Sequence, residues 1–258
     1  MRRLVAVILF LIPPTLVAQS RFDGTWQMNM DTLEFAGPPE SYLIQNSVYR
    51  CLSCVPPVEV KADGTDQKVP GHESFYDTIA VKIVNPYTVN FAFKKNGKPV
   101  STTTETVSSN GQTMMEEFSN TTEKDPVVGK ATFTRVSQGP HDSHVLSGEW
   151  RMDAVHSSTA QGTLTTFQNT PDGLKISDGI QTYVAKFDGI DYPIGRSGHA
   201  TIALKLINEY TLEETDKRDG KVMSVARMSV ARDGKTMKVE TTDKQRNATM
   251  TYTAKKLP

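Results

Sequence analysis

The chain has 258 residues, with 29 basic and 29 acidic side chains, and 37% of its residues are hydrophobic. This balance lacks the clustered positive face of a nucleic-acid-binding protein, and beyond the N-terminal run no segment is apolar enough to predict a membrane span. The low hydrophobic content favours thin β-structure, since only alternate residues of each strand face a core.

The first residues have the pattern of a secretory signal peptide. Two arginines, Arg2 and Arg3, precede an apolar run over residues 4–12, which is too short to span a bilayer. We predict a signal peptide over residues 1–18, with cleavage after Ala18 favoured over cleavage after Ser20. The mature protein is therefore expected to be secreted or periplasmic.

The two cysteines of the chain, Cys51 and Cys54, follow in the segment YRCLSCVPP, and three interpretations compete. A redox site needs the first thiol at a helix N-terminus, but two prolines and the strand-like VEVKA come next. A zinc site needs two more ligands, and the sequence has no second CxxC or HxxxH pair. The favoured interpretation is a disulfide that closes a tight turn, as expected in an exported chain.

The clearest strand signal begins at residue 78. Ile79, Val81 and Ile83 alternate with positions that include Lys82, which is the period of a half-buried strand. A strand TVNFAF, the turn KKNGK, a long Thr-rich strand and the turn SSNGQ follow, and Asn-Gly is typical of tight hairpin turns. Strands joined in this way predict an antiparallel meander.

The second half of the chain repeats the first. Residues 201–237 match residues 78–114 without a gap, AKFDGID matches VKADGTD, and GEW matches GTW. We predict two domains, residues 21–137 and residues 145–257, joined by a short polar linker.

Each repeat is predicted to form about eight strands, the number that makes a small closed barrel. A short irregular or helical stretch is expected after each Trp strand, over residues 31–41 and 154–161. An open sheet of that size leaves two edges exposed, and closure into a barrel removes them. The predicted fold is therefore all-β, with two tandem antiparallel up-and-down β-barrels, each repeat closing on itself.

The Gly-x-Trp start of each first strand, at Gly24 and Trp26 and again at Gly148 and Trp150, is similar to the pattern of lipocalins and the wider calycin group. This resemblance implies lipocalin-like barrels in which each Trp closes the base. The motifs VKADGTD, KKNGKPV and SSNGQTM, with AKFDGIDYP, KRDGKVM and ARDGKTM in the second repeat, resemble a group of exported bacterial tandem-repeat proteins of unassigned function. That resemblance implies a fold and an export route, and it carries over no catalytic or ligand residue.

The sequence lacks the common catalytic and metal-binding motifs, so no catalytic, cofactor-binding or metal-binding residue is predicted. The repeated Asp-Gly pairs at Asp63 and Asp188 are interpreted as hairpin turns, because the further oxygen ligands of a calcium loop are absent. His72 is expected to be a polar loop residue or a polar contact at a barrel mouth. The acidic pairs at residues 116–117 and 213–214 lie in strands, where neighbours point to opposite faces, and both pairs are expected to be solvated.

Five aromatic residues are candidates for lining the barrel interiors: Trp26, Trp150, Tyr76, Tyr183 and Phe187. We expect a non-enzymatic protein that binds a small, partly apolar ligand inside one or both barrels. The alternative is an envelope structural or protein-interaction module with solid-packed barrels. No cofactor is predicted, and the sequence leaves ligand identity, partner proteins and oligomeric state open.

Overall fold

The structure is a computed structural model that describes residues 20–73, 75–122, 126–157, 159–179, 181–195 and 199–258. The predicted signal peptide, residues 1–18, lies outside the described residues. Within them, the chain has no helix that is both long enough and apolar enough to cross a membrane.

Regular structure in this protein is almost entirely β-strand. The strands of the described residues are β1 (Gly24–Ala36), β2 (Glu40–Gln45), β3 (Val48–Cys51), β4 (Val58–Lys61), β5 (Gln67–Lys68), β6 (Thr78–Asn85), β7 (Thr88–Lys95), β8 (Lys98–Val107), β9 (Thr113–Asn120), β10 (Val127–Gln138), β11 (Gly148–Ser157), β12 (Leu164–Asn169), β13 (Gly173–Ser177), β14 (Thr182–Lys186), β15 (Tyr192–Ile194), β16 (Ala200–Asn208), β17 (Thr211–Arg218), β18 (Lys221–Val230), β19 (Thr236–Asp243) and β20 (Ala248–Lys256). A short 3₁₀ helix, Ala160–Thr163, lies between β11 and β12.

The strands form two antiparallel sheets, each with ten strands among the described residues, and each sheet curls into a nearly closed barrel. Barrel 1 has the order β4-β3-β2-β11-β10-β9-β8-β7-β6-β5, and barrel 2 has the order β14-β13-β12-β1-β20-β19-β18-β17-β16-β15. The predicted all-β fold of two tandem antiparallel barrels is confirmed, with ten strands where about eight were expected. Two of the extra elements are very short, since β5 has two residues and β15 has three.

Alternation along the shared segment determines which side chains form the cores. Ile79 and Val81 of β6 are buried in barrel 1, whereas Lys82, the next residue along the strand, is exposed on the opposite face. Ile202 and Leu204 of β16 occupy the matching buried positions in barrel 2. The two cores are therefore built on the same period-two pattern, one in each barrel.

Two hairpin turns have the conformation that their sequences predict. Asn96 and Gly97 have φ values of 52° and 74°, and Asp219 and Gly220 have φ values of 48° and 77°. Positive φ at both central residues matches the twist of the flanking strands, which is why Asn-Gly and Asp-Gly are preferred there. These turns fix the register of β7 with β8 and of β17 with β18.

The repeated Asp-Gly pairs help to close each barrel, and their interpretation as hairpin turns is wrong. Asp63 forms an isolated bridge with Lys82 of β6, and Asp188 forms the equivalent bridge with Lys205 of β16. In barrel 1 the N–H of Gly64 adds a hydrogen bond of 2.7 Å to a backbone oxygen of β6. Each pair thus joins the region after an edge strand, β4 or β14, to the opposite side of its own sheet.

Each barrel takes one strand from the other repeat. β1, which carries Trp26, pairs with β12 and β20 in barrel 2. β11, which carries Trp150, pairs with β2 and β10 in barrel 1. The expectation that each repeat closes on itself is therefore wrong, because among the described strands nine of the ten in each barrel come from one repeat and the tenth is exchanged.

Chain connectivity explains the exchange. β11 follows β10 directly and pairs with it as the next strand of the meander, which keeps the loop-closure cost small. It thereby fills the place between β10 and β2, and β1 is left to fill the equivalent place between β12 and β20. The limits 21–137 and 145–257 stay a prediction for the two sequence repeats, and neither range holds all the strands of one barrel.

The stretches after the Trp strands are more regular than expected. β1 continues to Ala36, with a shift in its register to β20 between Asn29 and Glu34. The matching stretch of the second repeat remains in β11 up to Ser157 and then forms the 3₁₀ helix. The expected irregular or helical element is therefore correct in part for both repeats: in the first, the register shifts between Asn29 and Glu34 and residues 37–39 lie outside a strand, and in the second the 3₁₀ helix follows β11.

Candidate functional site

The two predicted tryptophans lie in equivalent, fully buried positions of opposite barrels. The indole N–H of Trp26 donates to the backbone oxygen of Phe22 at 2.7 Å, and the indole N–H of Trp150 donates to the backbone oxygen of Leu146 at 2.9 Å. The Cζ atom of Arg135 lies 3.9 Å from the centroid of the Trp150 ring, within the range of a cation–π contact. These contacts give both tryptophans a structural role.

The other three predicted lining residues divide between the two cores. Tyr76 packs in barrel 1, with its ring centroid 4.8 Å from that of Phe93 and 5.2 Å from that of His72. Tyr183 is buried in barrel 2, and Phe187 packs half-buried against the same core. Strand exchange therefore combines the aromatic residues of one repeat with the tryptophan of the other.

Cys51 and Cys54 form a disulfide with their Cα atoms 5.4 Å apart, so the favoured interpretation of these residues is confirmed. The bond lies in the connection between β3 and β4. His72 packs on this connection, with its Nε2 atom 2.9 Å from the backbone oxygen of Pro56. Across the part of the chain that the structure describes, no group of three or more His, Cys, Asp or Glu side chains is placed to hold a metal ion.

Two glutamates lie opposite each other in barrel 1. Glu105 of β8 and Glu116 of β9 are paired directly across the strands, so their side chains share one face of the sheet. Glu105 is only 4% exposed, and its Oε2 atom is buried with no hydrogen-bond partner among the described residues. The expectation of solvated acidic pairs is therefore wrong for Glu116, whereas its neighbour Glu117 points outward and forms an ion pair with Lys130.

Burial and mutual repulsion disfavour the charged forms of these carboxyl groups. Burial raises the pKa of Glu105 well above its usual range, and the negative charges of Glu116 and Glu40 raise it further. Burial, followed by the charge of Glu40, raises the pKa of Glu116 to about 7. Near neutral pH the pair therefore retains at least one proton.

Glu40 connects this acidic pair to the space between the barrels. It begins β2 on the strand face that also carries Tyr42 and Ile44. Its Oε2 atom accepts the hydroxyl of Ser53 at 2.9 Å, and its Oε1 atom accepts an Nη1–H of Arg246 at 2.6 Å. Because Arg246 lies in the turn between β19 and β20, this ion pair joins barrel 1 to barrel 2.

A cleft of about 490 Å³ lies between the barrels at this ion pair. Glu40, Arg151, Asp243 and Arg246 supply charged groups to its lining. The larger apolar side chains come from β1, the connection to β2, β11 and β20: Phe35, Pro38, Pro39, Trp150, Met152 and Met250. Apolar walls with a few polar groups are typical of sites that bind small molecules.

Barrel 2 carries its acidic groups on a different strand. Glu214 and Asp216 lie two residues apart on β17 and so face the same side. The hydroxyl of Tyr183 donates to Oε2 of Glu214 at 2.8 Å, and the hydroxyl of Ser224 donates to Oδ2 of Asp216 at 2.6 Å. Burial raises the pKa of Glu214 to about 8, although the bond from Tyr183 acts in the opposite direction. Solvation of residues 213–214 is therefore also wrong as an expectation for Glu214.

The acidic pair of barrel 1 has no counterpart at the same positions of the second repeat. Glu105 and Glu116 align with Met228 and Val239 when the repeats are superposed without a gap. Sequence analysis missed Glu105 because its strand, STTTETV, is polar on both faces and shows no apolar alternation. The available signal was Val107, a buried residue two positions away on the same face.

No family model matches the sequence, and no curated protein matches it. Among solved structures, the chain is similar to the crystal structure of a double mutant of the vaccine antigen transferrin binding protein B from Haemophilus parasuis, with 9% sequence identity and a TM-score of 0.23. The similarity covers 87% of this chain and 44% of that chain, so this chain spans less than half of that protein's length. A TM-score this low supports no conclusion about function, and the assignment of two barrels rests on the strand pairing.

Proposed function

We propose that this protein is an exported, non-enzymatic, lipocalin-like binding protein for a small, partly apolar ligand. The observation that carries the proposal is the cleft between the two barrels. Its volume of about 490 Å³ lies within the range of roughly 300–1,000 Å³ that is usual for small-molecule sites. The N-terminal signal pattern and the Cys51–Cys54 disulfide both support export.

The lining of the cleft suggests how such a ligand is held. Its apolar part contacts Phe35, Met152 and Met250, and the charged side chains of Glu40 and Arg246 belong to the same lining. Most of the ligand then occupies the cleft between the barrels, because buried aromatic and aliphatic side chains occupy much of each interior. A site shared by the two barrels also gives a reason for both to be present in one chain.

A second candidate function is an envelope structural or protein-interaction module. Four apolar side chains that are each more than half exposed support it, because such residues at a surface favour contact with other molecules: Leu52, Phe75, Val184 and Ile190. In that case the cleft stays empty, and the exposed apolar residues form the working surface.

Native mass spectrometry of the mature protein, purified from its own host, separates the two functions. We expect a small molecule to copurify and to be lost in Ala36→Trp, which fills the cleft from an exposed position of its lining. The matched control is Ala231→Trp, an exposed position in the turn between β18 and β19, which should keep the ligand. An empty wild-type protein, with no shift in Tm across a panel of lipids and metabolites, would favour the interaction module.

A further inference from the structure

We propose that the ligand carries an organic cation, an ammonium group on an apolar chain, and that this group binds between Glu105 and Glu116 inside barrel 1. The inference rests on the proposed function and adds the chemical class of the ligand to it. The two glutamate side chains share one face of the sheet, because Glu105 and Glu116 occupy directly opposite positions of β8 and β9.

One buried oxygen of the acidic pair lacks a hydrogen-bond partner among the described residues. Oε2 of Glu105 is buried with no hydrogen-bond partner within the described ranges, in a residue that is 4% exposed. Buried polar atoms are normally paired, and an unpaired one calls for an explanation such as a ligand. The contrast with barrel 2 is informative, because hydroxyl groups reach both Glu214 and Asp216 there.

The charged groups around Glu105 determine which kind of ligand the pair favours. The charged groups that act on its pKa are Glu116 and Glu40, and both are acidic. Arg246 already forms an ion pair with Glu40 at the cleft. No basic group of the described residues acts on the pKa of Glu105, and two carboxyl groups placed directly opposite repel one another when both ionise. A cation between them would reduce both the cost of burying the carboxylates and the repulsion between them, whereas an anionic ligand would increase both.

Aromatic side chains of the barrel 1 core lie near the carboxyl groups. The rings of Tyr42 and Tyr49 are stacked with centroids 6.2 Å apart, and Tyr49 meets Phe91 edge-on at 5.2 Å. Burial raises the pKa of both tyrosines well above its ordinary value, and the nearby carboxyl group of Glu105 raises it further. Aromatic faces next to carboxylates are well suited to ammonium groups, which bind to both.

The small number of ligands around the pair favours an organic cation over a metal ion. No group of three or more His, Cys, Asp or Glu side chains is placed to hold a metal in the described part of the chain. A divalent ion such as Ca²⁺ takes six to eight oxygen ligands, which two carboxyl groups and their neighbours do not supply. An ammonium group has three donors and is satisfied by far fewer contacts. Its apolar chain would extend past Glu40 towards the cleft.

The test compares two probes of equal chain length, octylamine and octan-1-ol, by isothermal titration calorimetry on the full mature protein near neutral pH. We expect octylamine to bind about tenfold more tightly than octan-1-ol, as a charge-assisted hydrogen bond would allow. Glu105→Gln and Glu116→Gln should each remove that preference, and both variants should fold because neither loses a favourable charge. The matched control is Glu117→Gln, which alters the outward neighbour and should leave the preference intact.

A proton measurement provides a readout that apolar contacts alone would not change. Because the carboxyl pair holds at least one proton when empty, uptake of the ammonium group should release protons, and the observed heat should depend on the ionisation enthalpy of the buffer. The groups that face the pair, and whose titration has to be considered, are Glu40, Tyr42 and Tyr49.

The outcomes separate this inference from the proposed function. Equal affinity for the two probes, or an unchanged preference in Glu105→Gln, overturns the cation while leaving binding of an apolar ligand in place. Failure of both probes to bind also overturns the cation, and the proposed function is then decided by native mass spectrometry of the protein from its host.

Discussion

Replacing Glu116 by glutamine should make the protein more stable at high pH and leave its stability unchanged at low pH. The pKa of Glu116 is about 7 in the folded protein, against an ordinary value of 4.5. A carboxyl group with a raised folded-state pKa contributes most to stability below its unfolded-state pKa, and that contribution is lost as pH rises through the folded-state value. The difference between the two pKa values corresponds to about 3 kcal/mol of unfolding free energy. Glutamine has nearly the same shape and does not ionise, so it avoids this loss.

Urea denaturation followed by tryptophan fluorescence measures the effect. At about pH 8 the unfolding free energy of Glu116→Gln should exceed that of the wild type by about 3 kcal/mol, and near pH 4.5 the two should agree within about 0.5 kcal/mol. Because the charge of Glu116 also raises the pKa of Glu105, the difference includes the repulsion between the two groups. Glu117→Gln, which changes an exposed residue, should show no such pH dependence. An equal difference at both pH values would refute the reasoning, since it would mean that Glu116 titrates normally.

Two further predictions concern the architecture. Arg135→Met removes the guanidinium hydrogen bonds to the backbone oxygens of Gly111, Val145 and Ser147. This variant should therefore lower the unfolding free energy by about 3 kcal/mol. The control Arg227→Met, at an exposed ion pair, should change the unfolding free energy by less than about 1 kcal/mol. Similar losses in the two variants, measured by urea denaturation, would contradict the structural role of Arg135. A fragment of residues 37–158 contains every strand of barrel 1 and should fold, whereas residues 21–137 lack β11 and should not, as judged by circular dichroism and gel filtration. A folded, monomeric 21–137 fragment would show that the first repeat can close without the exchanged strand.

The local parts of the fold could be predicted from the sequence because they depend on neighbouring residues. Ile79, Val81 and Lys82 reveal which face of β6 is buried, and Asn96 with Gly97 identifies a tight turn through its required φ values. Because the second half of the sequence repeats the first, the same signals also predict the second barrel. Each of these signals lies within a few residues of the element it describes.

The exchange of Trp strands could not be predicted from the same signals. The two strands that carry Trp26 and Trp150 have nearly the same pattern, so either one fits the open place in either barrel. The choice depends on chain connectivity, because β11 pairs with the strand directly before it. Such a preference is a property of the whole chain and leaves no mark in the alternation of one strand.

The acidic pair was missed for a different reason. Alternation assigns a strand face only when apolar residues mark one side, and the strand of Glu105 is rich in threonine on both sides. Glu116 was expected to be solvated because charged residues are rarely buried without a partner. A site that departs from that rule is the kind of position at which sequence patterns fail and function is to be sought.

The exchanged strand also affects how the molecule can be made. β1 is the first of the described strands to be synthesised, and one of its two partners, β20, is the last of them. Barrel 1 can be completed earlier, as soon as β11 has been synthesised. During that interval β1, which carries Trp26, has to remain unpaired or bind a temporary partner. It cannot pair within barrel 1, because β11 already occupies the equivalent position there. Newly made chains of this protein therefore have a period in which β1 and its tryptophan are open to chaperones or to other copies of the same chain.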